Sequence, residues 1–232
     1  MKQLLTAGLQ DLQLPTVGVD ALLQYADALL ETNKVMNLTA ITDPADVATL
    51  HFLDSAALLT LADFAGKRVV DVGTGAGFPG MPLRILEPSI RLTLLDSLGK
   101  RIHFLQGVCD QLKFADVDCV HARAEEFAAQ HRETFDIATS RAVASLPLLA
   151  ELSLPLVKVG GWFGAYKSQS AEGEIFESRK AFHLLGGKPE GQTDFPLEEP
   201  SLDHSVFWIR KVSPTAAKYP RKAGTPEKNP LI

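Results

Sequence analysis

Several things are scarce in this chain, and each scarcity excludes something. Cysteine occurs only at Cys109 and Cys119. That is too little for a disulfide framework, and no Cys/His spacing suited to a metal is visible. A reducing, cytoplasmic setting without a bound metal is the expectation. No stretch approaches the ~18 to 20 apolar residues of a membrane span. The start, Met1-Lys2-Gln3-Leu4-Leu5, is soon interrupted by polar residues and Asp11, which does not read as a signal peptide. Strong net charge is missing too: −5 over 232 residues does not announce a nucleic-acid binder. Internal repeats and low-complexity runs are absent.

What is present suits one α/β domain with a substantial core and room for an added subdomain, since 46% of residues are hydrophobic and 22% charged. Charge is unevenly spread. From Ile209 onward six Lys or Arg face one Glu, a local +5 that leaves −10 for the remainder. A basic end on an acidic body is either a footprint for phosphate or a solubilising, unstructured end.

The stretch Arg68 to Gly80, RVVDVGTGAGFPG, organises the rest. Val69-Val70-Asp71-Val72 is rich in β-branched residues and reads as a buried strand. Glycines at 73, 75, 77 and 80 permit a sharp turn and close approach of a ligand to bare backbone. Pro79 stands where a first helical turn tolerates proline. Strand, glycine-rich turn and helix form the nucleotide-binding corner of a doubly wound sheet. A dinucleotide fingerprint would need glycine where Phe78 stands. Gly73-x-Gly75-x-Gly77 preceded by Asp71 instead resembles the first motif of S-adenosylmethionine-dependent methyltransferases.

Residues 1–62 read as a helical extension. Leu22, Leu23, Ala26, Leu29 and Leu30 mark one helix face, and Asp46 to Leu61 repeats the pattern after a start at Asp43-Pro44. His51 and Asp54 share a face of that second helix, either as a surface pair or as the wall opposite the glycine loop. From Arg68 strands and helices alternate, the pattern of a mostly parallel sheet. Strands are expected at Arg91–Leu95, Val117–Val120, Phe135–Thr139 and Trp162–Tyr166, the last after a break at Gly160-Gly161. Helices are expected at Leu98–Phe114, about Ser145–Val157 and Glu172–Leu185. A terminal hairpin near Gly191–Phe195 and Ser205–Val212 completes a seven-stranded sheet. The domain then runs 63–213, followed by a basic tail, 214–232, whose prolines and Gly224 do not favour a stable helix or strand.

Ligands bind outside the carboxyl ends of strands in such sheets, so each strand end acquires a possible task. Asp96 is placed for a ribose diol, or for capping the next helix. Ala124 and the following N–H suit an adenine edge, and Glu125 is also a reasonable first-turn acid. Arg141 would face the pocket mouth, where it could pair with a carboxylate or a phosphate.

Together, Asn37-Leu-Thr, His51-x-x-Asp54-Ser55, DVGTGAGFPG, LLDSLGKRIHFL, ARAEEF, FDIATSRA and YPRKAGTP closely resemble the glucose-inhibited division protein B family, over nearly the whole chain. Asp71 to Leu105 is the most specific part. The resemblance implies a Rossmann-like class I methyltransferase acting on N7 of a guanine in bacterial 16S ribosomal RNA, with S-adenosylmethionine as cofactor. It implies cofactor contacts at Gly73, Phe78, Ala124, Glu125 and Arg141, to which the loop adds Gly75 and the strand end Asp96. Phe78 replaces another apolar residue common in relatives. No general base is expected, because guanine N7 carries a lone pair and no proton. On the RNA side the candidates are His51, Asp54, Lys100, Arg101, Arg123 and Lys167, together with the basic tail. The partner would be 16S ribosomal RNA or the small ribosomal subunit, with neither membrane nor metal. A nicotinamide-dependent oxidoreductase and a non-catalytic RNA-binding assembly factor are the competing readings.

Overall fold

A computed structural model describes residues 1–141, 144–168, 172–194 and 204–232. Four helical pieces come first: α1 (Lys2–Asp11), α2 (Val19–Met36), α3 (Pro44–Asp46) and α4 (Asp54–Leu61), with a π-helical turn at Val47–Leu53 between the last two. Asp43 caps α3, accepting from the N–H groups of Ala45 and Asp46, as its position ahead of Pro44 leads one to expect.

The alternating region comes next, as β1 (Arg68–Val72), α5 (Gly80–Leu86), β2 (Arg91–Asp96), α6 (Gly99–Leu112), β3 (Val117–His121) and α7 (Ala124–Gln130). It continues with β4 (Phe135–Ser140), α8 (Leu146–Ser153) and β5 (Val157–Ser168), then α9 (Glu172–Glu177), α10 (Arg179–Leu185), β6 (Gly187–Asp194) and β7 (His204–Lys211). A last short helix, α11 (Thr225–Lys228), lies in the C-terminal segment. The seven described strands run in the order β3-β2-β1-β4-β5-β7-β6. Among them, β7 is antiparallel to its neighbours β5 and β6. The order reverses between β1 and β4, which opens a crevice above their carboxyl ends.

Alternation along each strand feeds two cores. Val69, Leu92 and Leu94 face α1, α2, α5 and α6, whereas Val70, Val72 and Leu95 face α7, α8 and α10. Leu5, Leu9, Leu22, Tyr25 and Phe52 are fully buried in the first core. The helical extension therefore shares one apolar interior with the sheet. Leucines buried at this depth each contribute about 1.5 to 3 kcal/mol of transfer free energy.

Some boundaries differ from expectation. Gly160-Gly161 does not break the chain, because β5 runs through both. A Cβ on Gly161 would lie 2.4 Å from the Asp136 carbonyl oxygen, so the glycine permits an irregular close pairing with β4. The expected helix 172–185 is two helices separated at Ser178. The helix after Ser145 ends at Ser153 in a tighter 3₁₀ turn, Leu154–Leu156, centred on Pro155. Strand β6 begins at Gly187 rather than Gly191, while Phe195 lies outside the described residues.

Residues 214–232 fold back onto the domain. Thr215, Tyr219 and Pro226 are buried. Arg132 donates to the carbonyls of Thr215, Ala216 and Tyr219. Arg221 holds both carboxylate oxygens of fully buried Glu151 at 2.6 to 3.2 Å. Prolines prevent a long regular element here, but side chains supplied by the domain satisfy the segment's backbone.

Candidate active site

A cleft of about 840 Å³ lies over the carboxyl ends of β1, β2 and β4, lined by the glycine loop, Asp96, Ala124, Glu125, Arg141, His51 and Glu227. The volume is that of a small-molecule site.

The loop is held from below. The N–H groups of Gly73 and Thr74 donate to the Leu95 carbonyl at 2.8 and 3.1 Å. Asp71, wholly buried, accepts from the Thr74 hydroxyl at 2.7 Å and the Gly80 N–H at 3.0 Å. Burial raises the Asp71 carboxyl to about 6, partly offset by those two donors. The glycines have separate reasons. Gly75 has φ +61° and an added Cβ would meet nothing nearer than the Gly73 carbonyl oxygen at 4.0 Å, so backbone conformation, not crowding by the protein, calls for glycine there. Gly77, at φ +108°, packs so closely that a Cβ would lie 2.4 Å from the Tyr25 hydroxyl and 2.7 Å from Leu105. Tyr25, from α2, donates its hydroxyl to the Ala76 carbonyl and stacks on Phe78 at 5.5 Å. The helical extension thereby fixes the loop, a role that sequence reading missed. A buried tyrosine within an amphipathic stripe was the available signal.

Asp96 closes β2 as expected and plays two parts. One oxygen accepts the Leu98 N–H at 2.8 Å, tightening the turn that leads into α6, while the other accepts the Gly75 N–H at 3.0 Å and lies 3.2 Å from Arg101. The carboxylate lines the cleft with lone pairs beyond those used. Ala124 and Glu125, at the start of α7, form the neighbouring wall. Glu125 also accepts the Gly224 N–H at 3.0 Å.

The opposite wall is a polar cluster built on the π-helical turn. His51 stacks on Phe78 at 4.3 Å with an interplanar angle of 15°. The Arg141 guanidinium lies 5.0 Å from the same ring. Arg141 reaches Asp54 at 2.6 Å, the Leu50 carbonyl at 3.1 Å and His51 Nδ1 at 3.0 Å. A guanidinium can only donate, so Nδ1 accepts, and Nε2–H donates to the Thr39 hydroxyl 2.9 Å away. His51 is thus a neutral imidazole. Burial, reinforced by Arg141, lowers it to about 3. Thr39 is placed by Asn33, which brackets residues 38 and 39 with three hydrogen bonds.

Two of the RNA-side candidates are placed elsewhere. Asp54 is fully buried and faces Arg141, not solvent. Lys167 is turned inward, where it donates to the Ala144 carbonyl and to Glu174 3.0 Å away. By contrast, Lys100 and Arg123 are exposed and Arg101 is half-buried beside the cleft.

The comparisons with known proteins converge on one assignment. A family model described as rRNA small subunit methyltransferase G matches residues 19–199. The chain belongs to that family. The Desulfitobacterium hafniense protein named ribosomal RNA small subunit methyltransferase G is 50% identical over 210 residues, covering 90% of this chain and 87% of its own. The Alkaliphilus metalliredigens protein of the same name is 46% identical over 235 residues, covering 99% and 98%. Among solved structures, an S-adenosylmethionine-dependent methyltransferase from Aquifex aeolicus superimposes with a TM-score of 0.57 at 15% identity, over 76% of this chain and 97% of that one. TYW2 from M. jannaschii, crystallised with S-adenosylmethionine, gives 0.54 at 14% identity, over 68% and 75%. At such identities these two establish the fold. The protein is accordingly an S-adenosylmethionine-dependent methyltransferase.

The cleft fits that cofactor. Open space beside Gly75 admits a ligand against bare backbone, and Asp96 presents a carboxylate at the end of β2.

Proposed function

We propose that this methyltransferase modifies N7 of a guanine in bacterial 16S ribosomal RNA, in the cytoplasm, by positioning rather than by acid–base catalysis. The observation that carries this reading is the state of His51. It is the one imidazole among the described residues lining the cleft, and both its nitrogens are engaged. A cleft without an available imidazole base suits an acceptor that has a lone pair and no proton to lose, and guanine N7 is such an acceptor. S-adenosylmethionine supplies an electrophilic methyl group on a sulfonium.

The chain's residues would then divide the work. Gly73, Gly75 and Phe78 form the floor, Asp96 the ribose-facing acceptor, and Ala124 and Glu125 the purine end. Arg141 stands where a carboxylate can compete with Asp54 for its guanidinium. Phe78 and the flat face of His51 leave an apolar surface that excludes water from the reacting atoms. Holding two reactants in line in this way is worth several kcal/mol, roughly 7 to 11 at best. Arg101 and Arg123 line the cleft, exposed Lys100 neighbours Arg101 in the chain, and all three would meet phosphates. Asp54 and Lys167, being enclosed, act through the residues they hold.

The test is transfer of labelled methyl groups to small ribosomal subunits and to naked 16S RNA, with mass spectrometry of the nucleosides afterwards. Label in 7-methylguanosine is expected. Label on a base nitrogen that must first lose a proton would sink the positioning mechanism. No incorporation into RNA would favour a non-catalytic binding role.

A further inference from the structure

The C-terminal segment reaches the cleft that the proposed function assigns to the cofactor, so any role of the segment there rests on that assignment. Its attachment is unusually polar. Arg221 forks onto Glu151 and also donates its backbone N–H to the same carboxylate at 2.8 Å. Buried Lys211 reaches Thr215 and the Leu154 carbonyl, while Glu133 accepts the Thr215 N–H at 2.7 Å. These anchors set the path of the chain up to Arg221. Beyond them, Gly224, at φ +79°, turns the backbone so that its N–H meets Glu125. The next turn, α11, brings Glu227 to the cleft wall.

We propose that residues 224–228 are a built-in wall of the cofactor cleft, with Glu227 as the ligand-facing side chain and Gly224 as the residue that positions Glu125. Two features favour this over a phosphate-binding arm. Arg221, one of the four basic residues after residue 213, is committed to Glu151. The side chain that enters the cleft is an acceptor, which would repel phosphate and suits the hydroxyl and amino donors of a nucleoside. In consequence the wall is covalently part of the chain yet tied to α7 through the hydrogen bond from Gly224 to Glu125, so cofactor affinity and the docking of the segment rise and fall together.

Two full-length variants test this. Gly224→Pro removes the N–H that Glu125 accepts and forbids the positive φ, with no change in charge. Glu227→Gln alters an exposed side chain and should leave the fold intact. Calorimetry with S-adenosylmethionine and S-adenosylhomocysteine should show affinity falling about tenfold in each, with melting temperature nearly unchanged for Glu227→Gln. Binding of Gly224→Pro to small ribosomal subunits across a salt series should keep the parent's slope. Undiminished cofactor affinity in either variant overturns the proposal. So does a Gly224→Pro protein that binds cofactor normally but RNA with a flatter salt slope. A parent protein that binds neither ligand overturns the assignment of the cleft itself.

Discussion

The two ends of the chain flank the same cleft by opposite means. The N-terminal extension is joined to the sheet by apolar burial: Leu5, Leu9, Leu22, Tyr25 and Phe52 disappear into the shared core. The C-terminal segment is joined mainly by charge and hydrogen bonds, from Arg132, Glu133, Glu151 and Lys211. Hydrophobic burial is non-directional and spread over many residues, so no single contact decides whether the extension docks. Polar anchoring is concentrated, so losing one partner leaves another buried and unsatisfied. The extension is therefore the stronger scaffold, and the tail the more easily detached.

The contrast can be challenged first on its apolar side. Gly77→Val should be the most damaging substitution, costing more than about 4 kcal/mol, because the new side chain meets Tyr25 and Leu105 at a positive φ. Denaturant unfolding, or failure to recover soluble protein, checks this. A stable variant with parental unfolding would show that the loop can move away from α2.

Next comes the polar side. Glu151→Ala should cost about 3 kcal/mol and loosen residues 214–232 before the rest of the domain unfolds. Limited proteolysis read by mass spectrometry should show early cleavage within that segment. Cleavage elsewhere first would mean that Tyr219, not the ion pair, holds it.

A milder change tests whether the extension serves the site as well as the fold. Tyr25→Phe keeps the packing and deletes the hydroxyl bound to Ala76. Stability should fall by about 1 to 3 kcal/mol, since a buried carbonyl loses its donor, and S-adenosylmethionine affinity should weaken severalfold. Unaltered affinity would confine Tyr25 to a structural role.

The smallest effect is a pH dependence in which two cleft groups oppose each other. His51 falls from 6.5 unfolded to about 3 folded, so the unfolded chain binds the proton first and stability drops as pH falls below about 6.5. Asp71 rises from 3.8 to about 6, so the folded chain binds the proton first and stability drops as pH rises from about 4 to 6. The acid limb should flatten in His51→Gln and steepen in Asp71→Asn. Unfolding curves between pH 4 and 7 decide it, and identical limbs in all three proteins would contradict both shifts.

Much of this arrangement was legible in the linear chain for physical reasons. Val69 to Val72 followed by spaced glycines specifies a strand and a turn locally, and the alternating pattern beyond it specifies the layered sheet. Asp96, Ala124 and Arg141 were found because strand ends in this fold converge on one edge, where all three line the cleft. Other features have a different origin. Asp54 and Lys167 stand as RNA-side candidates in the linear chain, yet both side chains are enclosed and paired. Their partners, Arg141 and Glu174, are recognisable only once the chain is folded. Gly160-Gly161 was read as a break because glycine pairs usually mark turns; here they admit the close approach of β4.

The elements, the order in which they alternate, the glycine loop and the family were already determined along the chain, since these depend on local backbone preference and on apolar periodicity. Folding alone decided that His51 is neutral with both nitrogens engaged, that Tyr25 secures the loop, and that a proline-rich basic end closes onto the cleft. Each of those outcomes depends on pairings between residues from 12 to 99 positions apart. Such pairings leave no periodic trace along the chain, because a hydrogen bond or an ion pair is set by distance and direction in space.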